Sequence, residues 1–471
     1  MLALAAAPTS AQGYVNWSGY LLDPAHSSLN SAATAITPTM APLITPAWSA
    51  AFNPGVLYGS PTVYNGYVYI GALSGVFYQL NEATGTVVHS VNLGWEIPCA
   101  EAPFKMGVAS TATVAPDPSR GGAPTVYVTG GTPSGGLGGT YLWALDAGDL
   151  HPVWTTDPVS VDQQPGSYAW SSPTVSGGQI FVGISSGCDS PLVRGGLGVF
   201  NQSDGSAVGT YDTVPSGSVG GTIWSSAAAS GSSEWVSTGN ADQTIGAVPG
   251  DSFSIVRLTG VTKSDSWTVP NLTGTDNDFG ASPTLFSGRV GGVSTPLVGA
   301  CNKNGVFYAL RSFSLSSGPV WSYRVGATTG TSCLSAAVWD AKNNELIIGG
   351  NATAAPIDGL QWPGSIRALR PDAAPGRRVV WEMGLPCTVI GTPTENGAGV
   401  VAVVTWSGCI RKLSPALYLF DARASIPNPL GNPSPILLKT ISLKSPAFSQ
   451  ATFADSYLFV ATTSSGLMAY H

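Results

Sequence analysis

The chain is poor in charge and poor in histidine. Its 471 residues include 19 Lys and Arg against 26 Asp and Glu, so only 10% are charged and the formal net charge is −7. No Lys/Arg cluster occurs, so the basic footprint of a nucleic-acid-binding protein is missing. The four histidines, His26, His89, His151 and His471, are scattered, and a His-based metal centre is not expected. No C-x-x-C-H motif is present, which rules out c-type haem attachment. No apolar run approaches the ~20 residues of a membrane-spanning helix.

Glycine and proline, by contrast, are plentiful, at 59 and 36 residues, and 43% of the chain is hydrophobic. That balance suits a turn-rich all-β protein with a substantial core. Residues 60–94, SPTVYNGYVYIGALSGVFYQLNEATGTVVHSVNLG, show the building unit. Four short apolar runs are separated by turns at Asn65-Gly66, at Leu73-Ser74-Gly75 and at Glu82-Ala83-Thr84-Gly85. Asn-Gly between β-rich runs is a strong hairpin signal, because both turn residues take positive φ. One four-stranded meander cannot bury both of its faces, so neighbours are required.

The unit recurs along the chain. Further copies start at Ser110, at Ser171, at Ser225 (ending near Trp267), at Ala281, at Leu334 (ending at Trp381-Glu382) and near Thr392 (ending near Ser442). The last, from Gln450 to His471, supplies only three strands. Its missing strand is expected from Pro46 to Phe52, which would close a ring. The prediction is an all-β, eight-bladed propeller of four-stranded antiparallel blades, closed by an N-terminal strand. Length alone would suggest three domains; the repeat argues for a single closed domain over 46–471. Residues 12–45 read as an extended arm wrapping that domain. Residues 1–11 read either as the remnant of a secretory signal peptide or as a disordered start. N-x-S/T sequons stand at Asn16, Asn201, Asn271 and Asn351.

Six cysteines point to an oxidising compartment, and a secreted or extracellular protein is expected, periplasmic in a Gram-negative source. In a propeller, the loops before each first strand and between the second and third strands share one face. Cys99, Cys333 and Cys387 fall in the first kind of loop, and Cys188, Cys301 and Cys409 in the second. Adjacent blades then suggest Cys301–Cys333 and Cys387–Cys409, leaving Cys99–Cys188. The chemistry is expected on this face, where the loops are longer and the central channel opens.

Four phrases there belong together. They are Ser185-Ser186-Gly187-Cys188-Asp189, then Gly220-Gly221-Thr222-Ile223-Trp224-Ser225 with Ser237-Thr238-Gly239-Asn240, then Asp276-Asn277-Asp278-Phe279-Gly280, and Cys301-Asn302-Lys303-Asn304-Gly305. They place carboxylates (Asp189, Asp278), an amide (Asn240), a flat aromatic (Trp224) and a cation (Lys303) around one mouth. Oxygen ligands of this kind suit a hard divalent cation such as Ca²⁺.

The degenerate repeat ends LNEATGTVVH and LDAGDLHPVW, the phrase from Asn16-Trp17-Ser18 to Asp23-Pro24-Ala25-His26, and these four phrases together resemble the quinoprotein alcohol dehydrogenases. Within them, Asp278-Phe279-Gly280-Ala281-Ser282-Pro283 and Lys303 are most similar to the polyvinyl alcohol dehydrogenase branch. The resemblance spans nearly the whole chain and implies pyrroloquinoline quinone (PQQ) and Ca²⁺ on the propeller axis. It implies Asp278 as catalytic base and Lys303 as a cation near the reactive carbonyls. It implies Trp224 as the floor under the quinone and Ser186 as a hydroxyl contacting a cofactor carboxylate. Asn240 and Asp278 would be metal ligands, with Asp189 where the family has a longer glutamate. Cys99 and Cys188 are not the family's adjacent-cysteine pair, but their bridge would occupy similar space. Gly280 stands where lanthanide-using members carry an extra aspartate, so calcium is the implied metal. Lys105 and Met106 fall near a cofactor-binding arginine of the family.

The implied activity is oxidation of an alcohol or sugar hydroxyl, on a small or polymeric substrate, by hydride transfer to PQQ. Electrons would leave for an external acceptor such as a cytochrome c or a quinone. Read singly, the residues have plainer roles: Trp224 packing between blades, Asp189 and Asp276 capping turns, Asn240 in a left-handed turn, Lys303 in solvent. Their co-occurrence on consecutive blades carries the enzyme reading. One competing class is a non-catalytic extracellular propeller that binds or assembles other molecules. Another is a sugar-acting propeller that stacks its ligand on Trp95, Trp170 or Trp362.

Overall fold

Asn65 and Gly66 take φ of 49° and 78° and turn the strand Thr62–Tyr64 back into Tyr67–Gly71. Val76–Asn81 and Val87–Asn92 complete an antiparallel sheet. We call this blade 1. In this computed structural model, residues 13–52, 57–97, 99, 105–131, 140–156, 166–272, 276–328 and 332–471 are described. The signal-peptide reading of residues 1–11 therefore lies outside the described residues.

The described residues form eight such four-stranded blades, two of which gain a short fifth strand, Ser167–Tyr168 in blade 3 and Leu29–Asn30 of the arm in blade 7. The innermost strands of blades 2 to 7 are Thr113–Asp117, Thr174–Ser176, Ala228–Ser230, Thr284–Val290, Ala337–Asp340 and Thr394–Asn396. Blade 8 comprises Thr452–Ala454, Tyr457–Thr462 and Gly466–Tyr470, and its outer strand is Pro46–Ala50 from the start of the chain. Pro46–Ala50 pairs antiparallel with Gly466–Tyr470, which closes the ring as expected and leaves no gap between first and last blades.

Each blade is apolar on both faces because each face meets another blade. Phe181 and Val199 of blade 3 pack with Val236 and Val256 of blade 4. Ile347 and Trp381 of blade 6 pack with Val401 and Phe420 of blade 7. That explains the nearly continuous apolar run in Tyr67–Gly71, buried from its second residue onward.

A repeated hydroxyl pattern, S-x-T in its fullest form, ties the inner strands together. The first hydroxyl accepts the amide of the preceding blade: Ser60 N–H to Thr111 Oγ1 (2.8 Å), Thr111 N–H to Ser172 Oγ (2.9 Å), Ser172 N–H to Ser226 Oγ (2.9 Å) and Ser226 N–H to Ser282 Oγ (2.9 Å). The second hydroxyl donates to a carbonyl of the following blade, as from Thr62 to Ala112 O (2.6 Å) and from Thr174 to Ala227 O (2.7 Å). Gln450 N–H donates to Ser60 Oγ at 3.2 Å and continues the belt across the closure.

The arm does not simply wrap the outside. Its carbonyls accept inner-strand amides inside the ring. Val63 donates to Trp17, Val114 to Ser18, Ala229 to Pro24, Leu285 to Ala25, Trp339 to Ser27, Glu395 to Ser28 and Asp455 to Val15. Inner-strand amides of blades 1, 2, 4, 5, 6 and 7, and the amide just after that of blade 8, would otherwise face an empty channel, and the arm satisfies them. Tyr20 is carried to the axis, where its hydroxyl lies 3.4 Å from Ser282 Oγ. His26 donates from Nδ1 to Pro283 O at 2.8 Å, and burial lowers its pKa to about 4.

Candidate functional site

Two residues before the belt position, one residue of each blade comes to the top of the channel. Tyr58, Trp170, Trp224, Gly280, Leu334 and Phe448 stand at this position, and all line a small axial cavity of about 100 Å³ floored by Tyr20. Trp224 lies across the place where Gly280 has no side chain. A Cβ on Gly280 would come within 2.7 Å of the Trp224 ring and 2.3 Å of Leu334. Trp224 is half-buried and belongs to none of the interblade clusters. It separates the axial cavity from a larger one above, of about 470 Å³, on the cysteine face.

One wall of the larger cavity is polar and comes from blades 3, 4 and 5. Ser186 ends the strand Gln179–Ser186, and its hydroxyl accepts the amide of Val193 at 3.0 Å. Cys188 and Asp189 follow in the loop, with Asp189 in a left-handed conformation (φ 57°). Asn240 is held by its backbone: Gly221 N–H donates to Asn240 O (2.7 Å) and Gly239 N–H to Thr222 O (2.6 Å). A side chain on Gly239 would press within 2.5 Å of Thr222 Oγ1.

Asp278 and Lys303 are set by one short register. Phe279 and Asn302 form an antiparallel bridge, and Lys303 N–H donates to Asp278 O at 2.9 Å. Their side chains meet as an ion pair, Nζ to Oδ1 2.6 Å. The same ammonium lies 2.6 Å from Asp276 Oδ1 and 5.2 Å above the Trp224 ring. Trp224 Nε1 donates to Asp278 Oδ2 at 3.0 Å. Lys303 is thus buried and doubly paired, not solvated.

Burial pushes the Asp278 carboxyl above the usual range, and the charge and hydrogen bonds of Lys303 and Trp224 offset this only in part. Burial acts the same way on Asp276, but the hydrogen bond and charge of Lys303 outweigh it and hold that carboxyl below the usual range. Burial depresses the Lys303 ammonium, yet Asp278 and Asp276 together raise it. One cation therefore serves two carboxylates whose environments push them apart.

The other wall is aromatic: Tyr58, Trp170, Trp406 and Phe448. Tyr58 and Phe448 lie 5.2 Å apart between centroids, and Trp406 and Phe448 5.7 Å. Of the tryptophans weighed for sugar stacking, only Trp170 lines this cavity. Trp95 faces the Lys105 ammonium at 4.0 Å. Trp362 donates to Ile357 O and covers Gly384, whose Cβ would meet its ring at 2.2 Å. Tyr58 and Phe448 went unnoticed in the sequence, although they share the repeat position of Trp170 and Trp224. Asp276 was read only as a turn residue.

The disulfides are Cys99–Cys188, Cys301–Cys333 and Cys387–Cys409, the pairing the blade topology suggests, and Cys188 lines the large cavity.

The residues present fit a flat, anionic cofactor with a hard cation. Trp224 supplies a planar floor with polar groups at its rim. Asn240 turns its Nδ2 toward Asp189 and Asp276 and leaves Oδ1 buried without a hydrogen-bond partner, so exchanging the two amide atoms costs Oδ1 no bond and offers an oxygen to a cation. Asp189, Asp276 and Asp278 face the cavity against the single ammonium of Lys303, so this wall carries a net charge that a divalent ion balances. The described residues contain no group of three or more His, Cys, Asp or Glu already converged on one point, so any cation must draw the wall together.

No protein-family model matches the chain, and no curated protein does. Solved structures do match. A europium-containing methanol dehydrogenase aligns with a TM-score of 0.74 at 15% identity, over 95% of this chain and 89% of that one. The quinohemoprotein alcohol dehydrogenase from Comamonas testosteroni aligns with a TM-score of 0.74 at 14% identity, over 97% and 80%. BamB from Moraxella catarrhalis aligns with a TM-score of 0.54 at 13% identity, over 91% and 99%. None of these three is a polyvinyl alcohol dehydrogenase, and that branch gains no support from them. At such identities the likeness shows the fold alone: the chain has the eight-bladed propeller architecture of the quinoprotein alcohol dehydrogenases.

Proposed function

We propose that this protein is a quinoprotein dehydrogenase that oxidises an alcohol or sugar hydroxyl with PQQ and Ca²⁺ held in the large cavity. The observation that carries the reading is that Trp224, Asp278, Lys303 and Asn240 line that one cavity, with Trp224 and Lys303 both bonded to Asp278. The methanol and alcohol dehydrogenases that share its fold support an alcohol as substrate.

When bound, PQQ supplies a two-electron acceptor and Ca²⁺ the Lewis acidity that polarises it. The protein's own groups do the rest. Asp278 accepts the proton of the substrate hydroxyl, a role worth roughly 10²–10⁴-fold in rate. Burial raises its carboxyl, which makes it a better base than an exposed aspartate, and the charge and hydrogen bond of Lys303 oppose that rise. Lys303 also faces the floor of the cavity, where it stabilises negative charge developing above Trp224. Trp224 orients both the cofactor plane and the Asp278 carboxylate. Ser186 offers its hydroxyl proton to a cofactor carboxylate, and the Cys99–Cys188 bridge limits the cavity from the loop side. Asp189 and Asn240 hold the cation with a third carboxylate of the wall, Asp278 by resemblance. Because the wall is net acidic, a polycarboxylate cofactor binds only after the cation.

Three disulfides fit a secreted or periplasmic protein, and no helix among the described residues is long and apolar enough to cross a membrane. Electrons would leave to an external acceptor such as a cytochrome c or a quinone. The second reading, a non-catalytic extracellular propeller, draws on the Lys303 ammonium lying between Asp276 and Asp278 and on the likeness to BamB. Dye reduction by protein incubated with PQQ and Ca²⁺, over a panel of alcohols and sugars, separates the two. The dehydrogenase reading expects turnover that Asp278→Ala abolishes. No turnover with any substrate, in protein that holds its fold, supports the binding module.

A further inference from the structure

We propose that Asp276, rather than Asp278, is the carboxylate that joins Asp189 and Asn240 around a divalent cation, and that the cation does this by taking Asp276 away from Lys303. The inference rests on the reading above only in requiring a cation in the large cavity.

Asp278 Oδ2 accepts from the Trp224 indole at 3.0 Å, and Oδ1, which accepts no hydrogen bond, is held by the Lys303 ammonium in an ion pair at 2.6 Å. The Asp278 side chain is 3% exposed, and its backbone is set by the neighbouring Phe279–Asn302 bridge. Asp276 is different. Its side chain is 52% exposed, so it can turn without leaving a buried charge behind.

Asn240 marks the point of convergence. Its Nδ2 lies 3.4 Å from Asp189 Oδ2 and 3.3 Å from Asp276 Oδ1, both long for hydrogen bonds to a charged acceptor. Its Oδ1 is buried and has no partner. Half a turn of the amide exchanges the two atoms. The oxygen then faces both carboxylates, and three hard oxygens meet from three consecutive blades. Two carboxylates and an amide oxygen are a donor set for Ca²⁺. Asp278 stays outside the set, with Lys303 as its cationic partner. Cation binding thus converts Lys303 from a clamp on two carboxylates into the counter-ion of the base alone.

Calorimetric titration with CaCl₂ alone, without quinone, tests this. Asp276→Asn and Asp189→Asn are each expected to weaken Ca²⁺ binding by roughly tenfold or more, since ligand charge count sets affinity. Asp278→Asn is expected to weaken it far less. Lys303→Met removes the competitor and should tighten binding, and the gain should vanish when Asp276→Asn is added. Asp276 is exposed, so its variant is expected to fold, and circular dichroism verifies this. Wild-type affinity in Asp276→Asn, loss of binding in Asp278→Asn, or no Ca²⁺ binding by the wild type would overturn the proposal. Adding PQQ to the Ca²⁺-loaded protein separates the two readings. Asp276-dependent Ca²⁺ binding without quinone uptake sinks the dehydrogenase and leaves this inference standing. Quinone uptake that ignores Asp276 does the reverse.

Discussion

The indole N–H of Trp224 donates to Asp278 Oδ2 at 3.0 Å, so the residue that floors the cavity also aims the residue proposed as base. Trp224→Phe keeps a flat ring and removes that donor. A hydrogen bond to a charged group is worth about 1.5–3 kcal/mol, and its loss raises the Asp278 carboxyl further. The acid limb of the kcat/KM profile should move to higher pH. Quinone affinity should fall less than in Trp224→Ala. A fall in quinone affinity with an unmoved pH profile would mean that the hydrogen bond plays no part in tuning the base.

Asp278 must be ionised to accept a proton, and burial holds its carboxyl above the ordinary range. Activity should therefore decline on the acid side at a pH above ~4, the ordinary aspartate value. Lys303→Met leaves this carboxylate buried without a counter-ion, a change that costs about 3–5 kcal/mol in comparable pairs. Activity near neutrality should collapse and recover partly at alkaline pH. Lys303→Met with a wild-type pH profile would exclude Lys303 from control of the base.

Gly280→Ala tests the floor by shape alone. Gly280 does not have a left-handed φ, so alanine is tolerated by the backbone, but its Cβ would sit 2.3 Å from Leu334 and 2.7 Å from Trp224. One of the two must move. The expectation is a quinone affinity lowered about tenfold with the melting temperature changed by only a few degrees. Unchanged affinity would mean that Trp224 does not underlie the cofactor.

Away from the cavity, Glu395 is fully buried in the inner strand of blade 7 with neither carboxyl oxygen hydrogen-bonded, and burial raises its pKa to about 8. The unfolded chain releases this proton near pH ~4.3, so the group leaves stability intact below that pH. As pH rises toward about 8 the folded state must retain the proton or bury a charge, and stability falls. Glu395→Gln removes the penalty. Its melting temperature should match wild type at pH 5 and exceed it at pH 8 by roughly 2 °C or more. Equal melting temperatures at both pH values would place the proton elsewhere.

Much of this architecture is legible in the chain because propeller repeats encode it redundantly. Asn65-Gly66 forces a hairpin, and the hydroxyl positions Ser60, Ser172 and Ser282 each repeat one contact between blades. Pro46–Ala50 is the strand that the short last repeat lacks. The disulfides follow from which loops share a face. The route of the arm was not legible, because it is fixed by backbone carbonyls of Trp17, Ser18, Pro24, Ala25, Ser27 and Ser28, and backbone groups leave no residue signature. The site was legible as phrases on blades 3 to 5. The division of Lys303 between Asp276 and Asp278 was not, since it depends on how the loop before Asp278 is folded. Nor was the packing of Trp362, a loop residue, onto Gly384, because no repeat position encodes it.

The most direct test of the central claim is an equilibrium titration of the purified protein with PQQ, followed by quinone absorbance, with and without Ca²⁺. The account predicts one quinone bound per chain, binding that requires Ca²⁺, and a large loss of affinity in Asn240→Ala. Well-folded, Ca²⁺-saturated protein that takes up no PQQ would contradict it, and the cavity above Trp224 would then belong to a binding scaffold.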